Sequence, residues 1–396
     1  MDKKRVLLIV GIAAVGLNLR SAIASLPPVF PELQASLHLS SATISVLAAT
    51  PVLCFGVASG AAAWLSRRLG DERVVLGALV LLAAGLALRG AFPARMLFTG
   101  TILATCAIAV MNVLLSSLAK RRWPDRAGLL IGVYLTTMSL ATVVASSVAV
   151  PLYRHSGGSA GLTLGLWALP AVAGVLLWLP QIGFKTTGRA ASSGITIYRR
   201  ALTWQVTLFM GLQSLLYYAA LSWLPEILRD RGDSAGTAGN LLALMALGGF
   251  ACSMTVPVLA QRHPGQRWLA VPAALALFAG LAGSLYAPLG SAVVWVLILG
   301  AGQGASLGLA LYFMVARSPD PVTAASLSGL AQGVGYLLAS AGTLTVGLLH
   351  SATGSWNPPG ALMLVLAVTE LGIGLLAGRP LVLSRPSTEP ASPAQV

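Results

Sequence analysis

One permanently charged side chain stands in the middle of the first apolar stretch of this sequence. The stretch covers 6–30, and Arg20 lies about fourteen residues from its start and about ten from its end. A guanidinium is planar and offers several hydrogen-bond donors, which suits a carboxylate, a nitro group or a cyanate-like group. If the stretch crosses a bilayer as a helix, this charge lies near the centre, where it costs about 3 kcal/mol. Arg20 is therefore a candidate ligand for an anionic or strongly polar solute.

Three kinds of partner for Arg20 are open at this point. The side chain contacts a solute in a wet cavity, or it donates to backbone carbonyls and polar neighbours on other helices, or it pairs with Glu370. Glu370, in the last apolar stretch, is the only acid inside any such stretch. Any proton coupling would therefore use Glu370 or a protonatable solute.

Amide and aromatic side chains are predicted at the same depth as Arg20. Gln213 and Tyr217 are four residues apart and share a helical face, and Gln332 and Tyr336 do the same. The alternative is that these groups only hydrogen-bond helix to helix, which contributes about 0.6 kcal/mol on average. The predicted substrate-binding set is Arg20, Asn18, Gln213, Tyr217, Tyr218, Gln332 and Tyr336, with Asn112, Tyr134, Met138 and Gln303 as second-rank candidates.

The elements that must position these residues are membrane-spanning helices. The chain has 396 residues, of which 56% are hydrophobic and 9% charged, and its mean hydropathy is +0.83. Apolar segments of about 20 residues, enough to cross ~30 Å of hydrocarbon, recur along the whole chain. We predict an all-α integral membrane protein. Its twelve spans are 6–30, 41–65, 74–92, 95–118, 127–150, 161–181, 202–225, 236–260, 268–288, 292–316, 322–349 and 358–378.

Lysine and arginine are distributed unequally between alternate polar breaks. Of the 25, 19 lie in breaks on the side of the N-terminus and five lie on the other side, and Arg20 is the remaining one. An excess of basic residues marks the cytoplasmic side. We therefore predict a multi-pass protein of a bacterial inner membrane with both termini in the cytoplasm. The formal net charge of +14 then needs no nucleic acid to explain it.

Residues for catalysis or metal binding are poorly placed. The four histidines lie in breaks or at span ends, no two carboxylates share a span, and the three cysteines show no CxxC spacing. We expect no enzymatic activity, no cofactor and no metal. The expected partners are a small-molecule solute and the lipid bilayer, and the expected state is a monomer.

The N-terminus allows a second interpretation. Lys3, Lys4 and Arg5 precede an apolar run, and Ala22-Ile23-Ala24 looks like a signal-peptidase site. Cleavage there would leave eleven spans and destroy the repeat described next. We therefore expect the first span to be retained.

The two halves of the chain repeat each other weakly. A shift of 194 positions aligns Pro31-Glu32-Leu33 with Pro225-Glu226-Ile227, Arg68 with Arg262 and Arg73 with Arg267. We predict an N-terminal six-helix bundle over 1–181 and a C-terminal six-helix bundle over 201–378. The polar segment 182–200 is expected to be a cytoplasmic linker and 379–396 a disordered cytoplasmic tail.

Four segments carry a resemblance that covers nearly the whole chain: "LNLRSAI", "TPVLCFGVASGAAAWLSRRLGDERV", "TWQVTLFMGLQSLLYYAALSWLPEIL" and "LSGLAQGVGYLLA". The sequence resembles the cyanate and 2-nitroimidazole transporter family (CynX/NimT) of the major facilitator superfamily. The resemblance implies a secondary active transporter for a cyanate-like anion, a carboxylate or a nitro compound, with alternating access to a site between the halves. An exporter of toxic compounds with the same fold is the main alternative. A transporter-like sensor or channel is a further one.

The loop after the second span departs from the superfamily. Aligned on Gly70, the general motif has Asp three residues earlier, where this chain has Arg67, and the acids Asp71 and Glu72 follow the glycine instead. The loop is either a charge latch or a solvated basic loop.

Glycines and prolines predict close contacts and helix ends. Glycine pairs four residues apart, such as Gly300 with Gly304 and Gly329 with Gly333, indicate close helix contacts. Pro27 and Pro28 are expected to end or bend the first span, and Pro225 the seventh.

Overall fold

The computed structural model describes residues 3–91, 94–122, 127–183 and 197–383. Within these ranges the regular structure is entirely helical, which confirms the predicted all-α membrane fold. The α-helices are α1 (Lys3–Ala24), α2 (Phe30–Leu37), α3 (Ser41–Leu69), α4 (Asp71–Arg89), α5 (Ala94–Arg122), α6 (Ala127–His155), α7 (Ala160–Gly165), α8 (Ala168–Trp178), α9 (Ala201–Asp230), α10 (Ala235–Ala260), α11 (Arg267–Tyr286), α12 (Ala292–Ala316), α13 (Pro321–Thr353) and α14 (Asn357–Ala377).

Eleven helical segments of the described ranges are long and apolar enough to cross a membrane. The one remaining predicted span is 74–92, the third along the chain. It corresponds to α4, which is 19 residues long. Asp71, Glu72 and Arg73 open this helix and Arg89 ends it, so that any stretch of about 18 residues within it includes three charges. The charges at both ends explain why α4 is not one of the eleven segments that are apolar enough to cross a membrane.

The first span breaks where its prolines predict. The helix α1 ends at Ala24, a short 3-10 turn covers Pro27–Val29, and α2 follows. Proline lacks a backbone N–H and disfavours a helical residue before it, which explains the break. Pro225, by contrast, lies inside α9, which continues to Asp230. Pro225 therefore does not end the seventh span, and the alternative expectation, a bend at this proline, stays a prediction.

The helices form two bundles that face each other. In the first, α1 packs on α6 and α8, and α4 packs on α5. In the second, α9 packs on α13 and α14, and α12 packs on α10 and α11. The bundles meet where α3 contacts α13 and where α6 contacts α10. We call the side with the start of α1 and the end of α14 the basal face, and the side with the end of α4 and the start of α10 the distal face.

Most of the predicted linker and tail lies outside the described residues. Of 182–200 the structure describes its two ends, with a 3-10 turn at Ile197–Arg199 leading into α9. Of 379–396 it describes 379–383, where the N–H of Leu383 donates to the carbonyl of Arg317 at 2.9 Å. The boundaries of the two bundles therefore stay predictions.

Small residues allow close contacts at some of the predicted positions. A side chain at Gly300 or Gly304 would collide with the α10 backbone, and one at Gly308 would press on Pro257 of α10. Gly329 and Gly333 of α13, however, face open space. The prediction of a close contact is therefore correct for α12 and wrong for this pair.

The acidic loop forms a latch inside the first bundle. Nε of Arg122, at the end of α5, lies 3.0 Å from a carboxylate oxygen of Glu72, at the start of α4. The carboxylate of Asp71 accepts a hydrogen bond from the hydroxyl of Ser66. Nη2 of Arg122 also donates to the carbonyl of Gln181 at 3.4 Å. These contacts join α4 and α5 to the residues that follow α8, so the loop is a charge latch within one bundle.

Candidate functional site

Arg20 lies between the bundles and faces the aromatic residues of α9. Its Nη1 donates to the hydroxyl of Tyr218 at 3.4 Å. Its guanidinium carbon lies 5.3 Å from the ring centre of Tyr217 and 5.5 Å from that of Tyr218. A cation near ring faces at this distance is attracted by their quadrupoles. The first helix of one bundle thus supplies the charge, and the first helix of the other supplies its aromatic neighbours.

No ion pair to Arg20 is found among the described residues. The carboxylate of Glu370 is fully buried in α14, where the hydroxyl of Ser306 of α12 faces it. The predicted alternative of an Arg20–Glu370 pair is therefore not formed. Arg20 keeps donors available because its hydrogen bond to Tyr218 uses only one of the five N–H groups of a guanidinium.

Four rings build a wall beside the guanidinium. Tyr217 and Tyr218 meet edge to face, with ring centres 5.2 Å apart. Tyr336 of α13 lies 6.2 Å from Tyr218, and Phe55 of α3 lies 5.6 Å from Tyr336 and 6.1 Å from Tyr218. These separations are typical of stabilising aromatic pairs. Phe55 is not among the residues predicted from the sequence, because one apolar ring in an apolar span does not stand out from its neighbours.

A cavity opens beside Arg20 on the other side of this wall. It has about 80 Å³ of space for a water-sized sphere, which is room for several water molecules. Arg20 is the only charged residue among the described residues that line it. The lining is Arg20, Leu135, Met138, Ser139, Thr142, Tyr217, Met245, Ala246, Gly249, Phe250, Ser253, Gly300, Gln303, Gly304 and Leu307.

Amide and hydroxyl groups complete the cavity. Nε2 of Gln303 donates to the carbonyl of Leu216 at 3.2 Å, while its Oε1 has no partner among the described residues. Ser139 and Ser253 line the cavity from α6 and α10. The α10 face was also missed, although Met245, Gly249 and Ser253 recur every four residues, a helical spacing visible in the sequence.

The structure separates the predicted site residues into two groups. Tyr217, Met138 and Gln303 line the cavity with Arg20, and Tyr218 and Tyr336 belong to the adjoining aromatic wall.

The other predicted residues do not reach the cavity. Nδ2 of Asn18 donates to the carbonyl of Pro170 in α8 at 2.9 Å, and Nε2 of Gln213 donates to the hydroxyl of Ser214 at 2.7 Å. Gln332 bonds to Ser328 along its own helix at 2.8 Å. Asn112 is half-buried on α5, and Tyr134 lies where α6 passes close to α1.

The distal side of the site is closed by contacts between the bundles. Nη1 of Arg229 lies 3.0 Å from a carboxylate oxygen of Glu32. The rings of Phe30 and Trp223 lie 6.0 Å apart, and the hydroxyl of Ser340 donates to the carbonyl of Ala49 at 3.2 Å. A solute at Arg20 is therefore shielded from the distal face in this conformation.

Together these groups have the chemistry needed to bind a small anion. One guanidinium offers N–H donors, a ring wall offers flat faces, and an amide and hydroxyls offer further hydrogen bonds. A planar group with a negative charge or strongly polar oxygens satisfies all three.

Comparison with known proteins agrees with this architecture. The sequence pattern of the Major Facilitator Superfamily matches residues 8–343. The chain is 38% identical to the uncharacterized transporter YycB of Bacillus subtilis, over 94% of this chain and 93% of that protein. It is 36% identical to the 2-nitroimidazole transporter of Escherichia coli, over 95% and 96%. It is 28% identical to the cyanate transport protein CynX of Escherichia coli, over 86% and 89%.

A solved structure shares the fold at low sequence identity. The crystal structure of a D-xylose-proton symporter superposes with a TM-score of 0.76 at 12% identity, over 95% of this chain and 97% of that one. This similarity supports the arrangement of the helices.

Proposed function

Since this chain belongs to the major facilitator superfamily and is a secondary transporter of small solutes, we propose that its solute is a small planar anion or nitro compound held at Arg20. The observation that carries the proposal is a cavity between the bundles whose described lining residues include one cation and no acid. An anion in this cavity compensates a charge that is otherwise costly at this depth. The aromatic wall favours a flat solute because ring faces stack on flat groups.

The names of two relatives support this class of solute. One transports a 2-nitroimidazole and another cyanate. Both solutes are small, and each presents to a guanidinium the polar group or negative charge that suits its N–H donors. The cavity volume of about 80 Å³ agrees with a solute of this size.

The transport step proposed here is alternating access. The Arg229–Glu32 ion pair and the Phe30–Trp223 contact close the distal side, and the bundles meet mainly along α3 with α13 and α6 with α10. If the distal contacts broke and contacts formed between the basal ends of the bundles, Arg20 would become accessible from the distal face. By the distribution of lysine and arginine, the basal face is cytoplasmic and the membrane is a bacterial inner membrane.

Energy coupling is assigned in this proposal to Glu370. Glu370 is fully buried in α14, and it is the only acid inside the predicted spans, so it is the one carboxyl group there that could carry a proton. The hydroxyl of Ser306 faces it from α12. Gln303, one turn earlier on the same helix, lines the solute cavity. Protons would reach Glu370 from the cavity along this face of α12.

The test is solute counterflow in liposomes with cyanate and 2-nitroimidazole as probes. Wild-type protein is expected to exchange at least one of them, and Arg20→Gln to lower the exchange by about 100-fold, because a hydrogen bond to a charged group contributes about 1.5–3 kcal/mol. Arg154→Gln, which removes an exposed arginine of α6, is the matched control and should exchange normally.

Two results would contradict the proposal, and a third would favour an exporter. Normal exchange by Arg20→Gln would remove Arg20 from the solute site. Saturable binding of a probe without any counterflow would favour the alternative of a sensor or a channel. Transport of the nitro compound alone, in the outward direction, would favour the alternative of an exporter of toxic compounds.

A further inference from the structure

A second buried arginine lies near the distal face, away from the solute cavity. Arg89, at the end of α4, is only 3% exposed. Its Nη1 donates to the carbonyl of Ala22 at 2.7 Å. Its Nε and Nη2 have no partner among the described residues. A buried donor without a partner destabilises the folded protein, and more so when the group is charged.

The bond to Ala22 fixes how this guanidinium is oriented. In an uninterrupted helix the carbonyl of Ala22 would accept from the N–H of Leu26, but that N–H donates to Ile23 at 3.3 Å because α1 ends at Ala24. Arg89 therefore satisfies a carbonyl that the helix break leaves without a backbone donor and that otherwise accepts only a long hydrogen bond, 3.5 Å, from the hydroxyl of Ser25. One nitrogen is used for structure, and the other two remain available.

A small cavity adjoins the guanidinium. It has about 10 Å³ of space for a water-sized sphere, which is room for about one atom-sized guest. Among the described residues Arg89 is its only polar side chain, and the other described lining residues are Leu33, Leu37, Ala91, Leu97, Ala160, Gly161 and Leu164. These lining residues include no carboxylate, so they do not compensate the positive charge of Arg89.

This cavity is separate from the solute cavity. It lies between the ends of α2, α4, α5 and α7, whereas α1, α6, α9, α10 and α12 line the cavity at Arg20. The two sets of lining residues have no member in common. An occupant at Arg89 therefore does not depend on the proposed function.

We propose that Arg89 holds a small inorganic monovalent anion, such as chloride, through Nε and Nη2. A water molecule would satisfy hydrogen bonds but would leave a buried positive charge uncompensated, and such a charge is strongly destabilising. An anion satisfies both requirements. The cavity has room for about one atom-sized guest, which favours a monatomic anion. The anion would stabilise the break after α1, and so the end of the helix that carries Arg20.

The test is the thermal stability of the purified full-length protein at constant ionic strength. Sodium gluconate, whose anion is too large for the cavity, is replaced stepwise by sodium chloride or bromide. Wild-type protein is expected to show a saturable rise of a few degrees in its apparent melting temperature, because a ligand that binds only the folded state stabilises it. Arg89→Gln should lose this rise, and Arg20→Gln should keep it.

Loss of the halide effect in Arg20→Gln with retention in Arg89→Gln would overturn the proposal, since the halide would then bind at the solute site. If Arg89→Gln does not fold, the test uses crystals of the wild-type protein soaked in bromide. An anomalous peak within hydrogen-bonding distance of Nε and Nη2 is the expected result. A water molecule without anomalous signal at that place would end the proposal.

Discussion

The basal ends of the two bundles use equivalent arginines with different partners. In the N-terminal bundle Arg122 pairs with the carboxylate of Glu72. In the C-terminal bundle Nη2 of Arg317 donates to the side-chain oxygen of Gln266, and its Nε to the carbonyl of Ala377 at 3.0 Å. Glu72 and Gln266 are related by the shift of 194 found in the sequence. The repeat thus preserves the packing of its latch while the charge of the acceptor differs.

The neighbours of Gln266 explain the difference. Its Nε2 donates to the carbonyl of Ala260 at 3.1 Å and to that of His263 at 2.6 Å. A glutamate at this position has no donor for these carbonyls. An amide can accept from the arginine and donate to the carbonyls, and a carboxylate can only accept.

The two bundles also supply different chemical groups inside the membrane. The N-terminal bundle supplies the cation, Arg20, and the C-terminal bundle supplies Tyr217, Tyr218 and the buried acid Glu370. The comparison teaches that the repeat determines where helices pack, while each bundle carries its own chemistry. Four substitutions test this division, from the largest expected effect to the smallest.

Glu370→Gln should abolish proton-driven accumulation. With one proton moved per solute, a gradient of about two pH units supports roughly 100-fold accumulation, since each unit is about 1.4 kcal/mol. The variant should only equilibrate the solute and keep its counterflow, because glutamine has nearly the shape of glutamate and no ionisable proton. Uptake into liposomes with an imposed pH gradient measures this. Unchanged accumulation would show that Glu370 takes no part in proton coupling.

Gln266→Glu should destabilise the protein by about 2 kcal/mol, although it creates an ion pair with Arg317. Two carbonyls lose their donor, and each buried acceptor without a partner costs about 1–3 kcal/mol, partly offset by the new charge pair. Thermal unfolding in detergent should show a fall of a few degrees. An increase in stability would mean that the two latches are interchangeable.

Glu72→Gln makes the N-terminal latch chemically like the C-terminal one. We expect a loss of about 1 kcal/mol, smaller than for Gln266→Glu, because the amide oxygen can still accept from Arg122. The same unfolding measurement applies. A loss larger than that of Gln266→Glu would reverse the order that the neighbouring carbonyls predict.

Arg20→Lys should weaken solute binding by about 5–10-fold and leave the fold intact. Lysine keeps the charge but loses the planar array of donors, and its ammonium is a more compact point charge. The half-saturating concentration in counterflow measures the effect, and Arg154→Lys on the exposed surface of α6 is the control. Equal affinity of the wild type and the lysine variant would show that only the charge of Arg20 contributes.

The position of Arg20 was predictable because depth depends on counting residues along one helix. The side-chain directions were only partly predictable. Asn18 is two residues from Arg20, and residues with this separation lie on different faces of a helix, so the sequence predicts that Asn18 points away from Arg20. Its contact with Pro170 depends on how α1 packs on α8. Gln213 and Tyr217 share a face, yet only Tyr217 lines the cavity. Helix rotation and tilt, which packing determines, separate the two.

The sequence by itself determined the helical membrane fold, the repeat and the depth of the single midplane cation, because hydropathy, spacing and helical rise are properties of one segment at a time. The tertiary structure decided that Arg20 meets Tyr218 and not Glu370, and that Phe55 and the face of α10 join the site. These contacts depend on how helices from distant parts of the chain rotate against one another. That rotation is fixed by the packing of many side chains together, which no single segment encodes.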